Sequence, residues 1–317
     1  MIKGGFTPPF FLVKGGDLVA KMHYEKKRGL KYALIFILPG LILLGIFMIY
    51  PFFSAFYLSF TNTRLIARSP AKFVGLANYE RLINDELFWQ SLRNNFVFVL
   101  VVVPVQTALA LILAMLVNQR LKLTKLFRTI YFLPTVTAMV VVSVIWTFLY
   151  NPEGLINGFM EMLTLGRWET ISFLTNPNWA LPAIMLMSIW QGVGFQMLIF
   201  LAGLQEIPVT LYEAARIDGA NKWKQFWKIT LPQLKNTTVF VVISTTILAF
   251  RLFTQVKVMT NGGPSGATYT VVLHLYNQGY QRQYIGYASA ITVVFFLIVL
   301  AISIIQRKIL GEEREVG

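Results

Sequence analysis

The 317-residue chain contains no cysteine. That removes any disulfide framework and any thiolate metal site. Charge is also scarce: 13% of the residues are Asp, Glu, Lys or Arg, against about 25% in ordinary soluble domains. Acidic residues are the rarer sign, 14 against 28 basic ones, and there are two histidines. None of those carboxylates lies in a long apolar run, and neither His23 nor His274 does. A proton-driven carrier usually needs an ionisable group within the membrane. An intramembrane metalloprotease needs an HExxH pair or its equivalent. The apolar runs offer neither. There is no G-x-x-x-x-G-K-[ST] loop either; the nearest stretch, NGGPSGAT (Asn261–Thr268), has no lysine. No catalytic residue and no metal ligand is therefore assigned, the chain is expected to bind no cofactor itself, and any driving energy has to come from another polypeptide.

What the chain has is apolar length. It is 56% hydrophobic, with a mean hydropathy of +0.61. A helix needs roughly 20 apolar residues to cross a bilayer, and six runs reach that scale. They are Tyr32–Phe60, Phe96–Val117, Ile130–Tyr150, Trp179–Leu201, Thr237–Gln255 and Tyr287–Ile305. Pro104, Pro134 and Pro182 fall in these runs, where neighbouring helices can satisfy the freed carbonyls. The expected fold class is an all-α membrane protein with six spans.

Basic residues set the direction of the spans. With the N-terminus inside, that side carries seven Lys/Arg in the N-terminal tail and four between the second and third spans. A further five lie between the fourth and fifth spans, and three in the C-terminal tail. The other side carries eight, and Arg251 lies within a run. Both termini and the loop 205–235 are thus expected in the cytoplasm, and the net charge of +14 reflects topology and anionic lipid rather than nucleic acid. Residues 1–31 read as a cytoplasmic tail: the apolar patch PPFFLV is too short for a signal peptide, and no small-residue cleavage site follows it. Residues 32–308 read as the transmembrane domain and 309–317 as a second cytoplasmic tail. The outer segments 61–95, 151–178 and 257–286 are too short for a folded domain and are expected to form short helices over the bundle.

The polar stretch Thr210–Pro232, TLYEAARIDGANKWKQFWKITLP, reads as two short helices. Thr210 and Glu213 have capping-box spacing. Asp218-Gly219 is a helix stop. Asn221 can cap a second helix that ends before Pro232. The second helix groups Trp223, Phe226 and Trp227 with Lys222, Lys224 and Lys228 around them, and the first carries the small residues Ala214 and Ala215. Such a surface suits docking into a partner's groove; the tryptophans would also serve as anchors at a membrane interface.

Glu213-Ala214-Ala215, three residues, Gly219, nine residues, Ile229, one residue, Leu231-Pro232 resembles the EAA signature of membrane subunits of binding-protein-dependent ABC importers. The likeness extends over residues 33–308 and is greatest to the sugar permeases of the maltose type. It includes LPGLILLGIFMIYPFFSAFYLSFTNT (Leu38–Thr63), FVGLANYERL (Phe73–Leu82), RTIYFLPTV (Arg128–Val136), AGLQEIP (Ala202–Pro208) and VMTNGGPSGAT (Val258–Thr268). The resemblance implies a type I importer permease fold in a bacterial cytoplasmic (inner) membrane. It implies as partners a second permease, in maltose-type systems a different chain, two ATPase subunits that use ATP and Mg, an extracytoplasmic solute-binding protein, and a sugar or oligosaccharide cargo. It implies an ATPase-coupling role for Glu213, Ala214, Ala215, Gly219, Trp223, Phe226 and Trp227. The chain departs from the maltose prototype in lacking a large inserted outer domain and extra N-terminal spans.

By the same resemblance the substrate path falls on Gln191, Gly192 and Phe195 of the span before the loop. In the span after it, the path falls on Thr245, Leu248, Ala249 and Leu252, an i, i+3, i+4, i+7 set on one helix face. Helix packing is the plainer reading of each position alone. Arg251 is a candidate of its own: it either snorkels to the interface or meets an anionic cargo. Gln106 and Gln196 are further polar residues within spans. A self-contained carrier driven by sodium, bound through carbonyls and hydroxyls, stands as the alternative to an ATP-driven importer.

Overall fold

The computed structural model describes residues 36–66, 70–119 and 124–311. The expected tail 1–31 and residues 312–317 of the second tail lie outside the described residues. The chain falls into two compact units divided between Tyr57 and Leu58.

The described residues of the first unit all lie in one helix, α1 (Phe36–Leu58), whose last residue opens the second unit. Its turn Gly45–Ile49 is a π turn, in which the Tyr50 N–H donates to the Gly45 carbonyl. Pro51 comes next. A proline has no N–H to give and crowds the carbonyl four residues back. The wide turn takes up that defect without a break.

The second unit holds α2 (Ala77–Ile83), α3 (Glu86–Val117), α4 (Thr124–Val136), α5 (Met139–Leu149), α6 (Leu155–Leu163) and α7 (Pro177–Glu206). It continues with α8 (Val209–Ile217) and α9, which runs Lys222–Gln225, a π turn Phe226–Thr230, then Leu231–Gln233. The last elements are α10 (Lys235–Phe250), α11 (Thr254–Met259), α12 (Val271–Tyr276) and α13 (Ile285–Gly311). Among the described residues there is no sheet, only one antiparallel bridge between Thr61 and Phe73.

Four spans differ clearly from the apolar runs. The second starts ten residues earlier than its run, at Glu86 rather than Phe96, because Asp85 caps it: its Oδ1 accepts from the Leu87 and Phe88 N–H groups. The third is not one straight helix. It is α4 and α5, bent by 97°. Pro134 ends the regular ladder of α4, and Ala138 adopts an extended conformation (ψ 129°) before α5 begins. The fifth stops at Phe250 and resumes at Thr254, so Leu252 lies beyond the helix and is not the fourth member of a continuous face. The sixth continues to Gly311, past the expected end of the transmembrane domain.

α3 and α7 pack along their lengths, and two buried apolar clusters hold the second unit together. One, around Phe88, Phe98, Val102, Ile184, Met187, Phe250 and Ile291, gathers toward the Asp85 end. The other, around Ala110, Ala114, Met197, Phe200, Leu204, Leu234 and Val241, gathers toward the α8–α9 hairpin. Ala110 and Ala114 are fully buried; small side chains one turn apart let helix backbones approach closely. Gly194 serves the same purpose, since a Cβ there would stand 1.9 Å from the Tyr131 carbonyl oxygen of α4.

Candidate functional site

The α8–α9 hairpin closes by short-range contacts. The N–H of Ala220 bonds the Ala215 carbonyl (2.8 Å) and that of Gly219 bonds the Arg216 carbonyl (3.1 Å), the double closure of a Schellman stop. Gly219 has φ +75°, a conformation that favours glycine. Asn221 Oδ1 then accepts from the Lys224 N–H (2.9 Å) and opens α9. Two expectations fail. The Thr210–Glu213 capping box does not form, because the cap is Pro208 and Thr210 already lies inside α8; Pro208, with φ −59° and ψ 129°, starts the helix two residues early. Nor does α9 end before Pro232: the Leu231 N–H reaches the Phe226 carbonyl through a π turn, and Pro232 sits in the first turn of the short helix that follows. This is the arrangement seen at Pro51.

One side of the hairpin is anchored. Tyr212 and Ile229 lie on the second apolar cluster, and the Tyr212 hydroxyl hydrogen-bonds Thr230 Oγ1 (2.9 Å). The opposite side is bare. Glu213, Ala214 and Gly219 are exposed, and Ala215 and Phe226 are half-buried. Trp223 and Trp227 are 68% and 51% exposed. Trp223, Phe226 and Trp227 form one aromatic cluster, with ring centroids 5.4–6.1 Å apart. A large exposed aromatic cluster of this kind marks a surface for contact.

The second set of residues converges more tightly than its spacing alone required. Gln191, Gly192, Phe195, Thr245, Leu248, Ala249, Arg251 and Leu252 all line a single cavity of about 410 Å³. Gln191 lies at the middle of α7. The cavity walls also include Phe98 and Gln106 of α3, Thr135 of α4, Ser188 and Gln196 of α7, and Gln255 of α11. Gly192 faces Gln106 so closely that a Cβ would stand 2.5 Å from Gln106 Nε2. Thr135 Oγ1 donates to the Gln191 carbonyl (2.8 Å) and so ties α4 to α7 beside the cavity. Gln196 Nε2 donates to Thr245 Oγ1 across α7 and α10. Arg251, the residue that caps α10, is exposed at the cavity.

The helix break beside the cavity is held by side chains remote in sequence. Asn95 Nδ2 donates to the Phe250 carbonyl (3.1 Å), and its Oδ1 accepts from the Val271 N–H (2.9 Å). Thr270 Oγ1 donates to the Leu252 carbonyl (2.9 Å). Asn94 donates to the carbonyls of Gly266 and Tyr269. These residues escaped the sequence reading because Asn94 and Asn95 precede the apolar run. The available signal was a pair of asparagines on a helix that continues into a span, where polar side chains need partners.

A second polar cluster lies at the Asp85 end. His274 Nε2 donates to Asp85 Oδ2 (2.9 Å), and the Tyr287 hydroxyl donates to the same oxygen. The Arg81 guanidinium lies 3.9 Å from the Tyr287 ring centroid. Burial pushes the His274 pKa below its ordinary value, outweighing the attraction of Asp85. Burial pushes the Asp85 pKa up, but the Tyr287 hydrogen bond and the His274 charge together bring it below its ordinary value.

The profile of the family described as "binding-protein-dependent transport system inner membrane component" matches residues 106–310. The lactose transport system permease protein of Rhizobium radiobacter is 37% identical over 277 residues, 86% of this chain and 91% of that protein. The trehalose/maltose transport system permease protein of Thermococcus litoralis is 35% identical over 295 residues, 92% and 97% of the two chains. The fold is similar to that of a chain in the crystal structure of a bacterial ABC transporter involved in the import of the acidic polysaccharide alginate. That likeness has a TM-score of 0.79 and 22% identity, covering 93% of this chain and 100% of that one. The chain is thus a multi-pass protein of the inner membrane and belongs to the family of inner-membrane components of binding-protein-dependent transport systems.

Proposed function

We propose that this chain is the permease subunit of an ATP-driven ABC importer and that its cavity is a station on the path of a saccharide. The observation that carries this reading is the convergence of two distant segments, 191–195 and 245–252, on one cavity between helices of membrane-spanning length. The names of the two relatives, both sugar permeases, support the saccharide class. An aromatic face from Phe195 and amide and hydroxyl groups from Gln191 and Thr245 suit a ring with apolar faces and hydroxyl edges.

In this reading an extracytoplasmic solute-binding protein delivers the cargo, a second and different permease chain completes the path, and two ATPase subunits consume ATP with Mg. The chain itself catalyses nothing and binds no cofactor. The asymmetry of basic residues puts the hairpin and both tails, 1–31 and 309–317, in the cytoplasm. Glu213, Ala214, Ala215, Gly219, Trp223, Phe226 and Trp227 then form the surface that rests on an ATPase. The hairpin suits that work: it is bare outside and anchored inside through Tyr212 and Ile229, so displacement at its surface is passed to α7 and α10.

Reconstitution of the whole assembly in proteoliposomes tests the reading. Saccharide uptake requires ATP and the binding protein. Glu213→Lys reverses an exposed charge on the coupling surface, and it is expected to leave the permease in the membrane while lowering the sugar moved per ATP hydrolysed. Uptake driven by a sodium gradient without ATP would overturn the proposal.

A further inference from the structure

Four hydroxyls on the cavity walls share one polarity. Ser188 Oγ donates to the Ile184 carbonyl (2.7 Å), Ser244 Oγ to that of Phe240 (2.7 Å), Thr245 Oγ1 to that of Val241 (2.7 Å) and Thr135 Oγ1 to that of Gln191 (2.8 Å). Each of these hydroxyls has spent its one proton, so what it can offer a cargo is a lone pair. Gln196 extends the pattern. Because Thr245 has given its proton to Val241, it accepts from Gln196 Nε2. That fixes which end of the amide carries the nitrogen. Gln196 Oε1 is left buried with no hydrogen-bond partner among the described residues, and Gln196 is only 4% exposed.

Arg251 is the opposite kind of group. It is the single charged residue among those lining the cavity, and no carboxylate among the described residues forms an ion pair with it. A guanidinium has five N–H donors in a planar fork, no acceptor, and a fixed charge. Its best complement is an anionic oxygen pair.

Resting on the saccharide reading of this cavity, we propose that the cargo is an acidic saccharide. Its carboxylate, sulfonate or phosphate pairs with Arg251, and its hydroxyls donate to the lone pairs that the cavity walls present. Hydroxyl lone pairs on the walls and one cationic fork suit a ligand that donates at several points and carries negative charge at one. A neutral sugar satisfies the first requirement and leaves the fork unmatched; a simple anion satisfies the second and leaves the lone pairs of the walls unused.

The test uses the full assembly, with its ATPases and binding protein, and three matched probe pairs. These are a galacturonate trisaccharide and its carboxyl-reduced counterpart, a hexose phosphate and the free hexose, and a 6-sulfonated hexose and its 6-hydroxyl parent. ATP-dependent uptake and cargo-stimulated ATP hydrolysis are measured for each. The wild-type assembly is expected to prefer the charged member of at least one pair. In Arg251→Gln the charged-to-neutral uptake ratio for that pair is expected to fall by about tenfold or more, with Arg251→Lys intermediate. The ratio cancels differences in the amount of folded protein, and the wild-type preference is read without any variant. An unchanged ratio in Arg251→Gln, or wild-type uptake of neutral members alone, overturns the anionic assignment and leaves the saccharide reading standing. No response to any probe overturns both.

Discussion

The hairpin at 209–233 and the break at 251–253 each stop a helix, by opposite means. At the hairpin the stopping groups are neighbours: Ala220 reaches Ala215, Gly219 reaches Arg216, and Asn221 reaches Lys224. At the break they are far away. Asn95 is 155 residues from Phe250 and 176 from Val271, and it bonds both. The hairpin is a local device on the surface, stopped by its own neighbouring residues. The break exists only when α3, α10 and the 260–270 loop have assembled around it. The edge of the cavity is secured by long-range bonds, and the exposed hairpin by short-range ones.

Removing the long-range bonds should have the largest effect. Asn95→Ala leaves the Phe250 carbonyl and the Val271 N–H without partners in a buried site. At about 1–3 kcal/mol for each stranded group, the loss should be roughly 2–6 kcal/mol. Thermal unfolding of the detergent-purified protein measures it. Amide exchange in the hairpin should be unchanged at temperatures below the transition; faster exchange there would show that the two regions are not independent.

The reciprocal experiment is at Gly219. A Cβ there meets nothing within 4 Å, so Gly219→Ala costs only the left-handed backbone, about 1–2 kcal/mol. The cost should appear as faster exchange of the Ala220 and Lys224 amides, with little change in global melting. Gly219→Pro forbids the conformation and also deletes the bond to Arg216, so it should open the hairpin outright. A global loss from Gly219→Ala as large as that from Asn95→Ala would erase the distinction between the two regions.

The same distinction explains what could be read before the structure. Asp218-Gly219 and Asn221 were legible as stop and cap because each acts within a few residues. The six apolar runs were legible because bilayer thickness imposes a length. The bend between α4 and α5 was not, since Pro134 within a run is compatible with either a straight or a broken helix. Leu252 was assigned to a helical face because nothing near it in sequence announces a stop; the groups that hold the break are Asn95 and Thr270. The Thr210–Glu213 spacing misled because Pro208 starts α8 first. The cavity residues were found through family resemblance, while their grouping around one volume depended on tertiary packing.

The smallest effect expected is one of pH, and it too should separate the regions. His274 is 1% exposed, and its Nδ1 is buried without a partner among the described residues, an arrangement that suits a neutral ring donating from Nε2 to Asp85. Its pKa lies below the ordinary 6.5, so the folded state binds fewer protons than the unfolded state as pH falls past that value. Stability linked to His274 is therefore complete above pH 6.5 and is lost progressively below it. Asp85 adds nothing to this slope until lower pH, because its own pKa lies below 3.8; its contribution is lost only as pH falls through that depressed value. Melting temperature should decline between pH 6.5 and 4 in the wild type, and His274→Gln should flatten that decline. His274 packs beside Tyr269 and Tyr287, at the end of the unit remote from the hairpin. Acid should accordingly loosen the loop that Asn94 and Asn95 hold before it touches Gly219. Parallel acid sensitivity of hairpin exchange, after correction for the intrinsic rate, would mean that the cluster at Asp85 and the hairpin are coupled through α3.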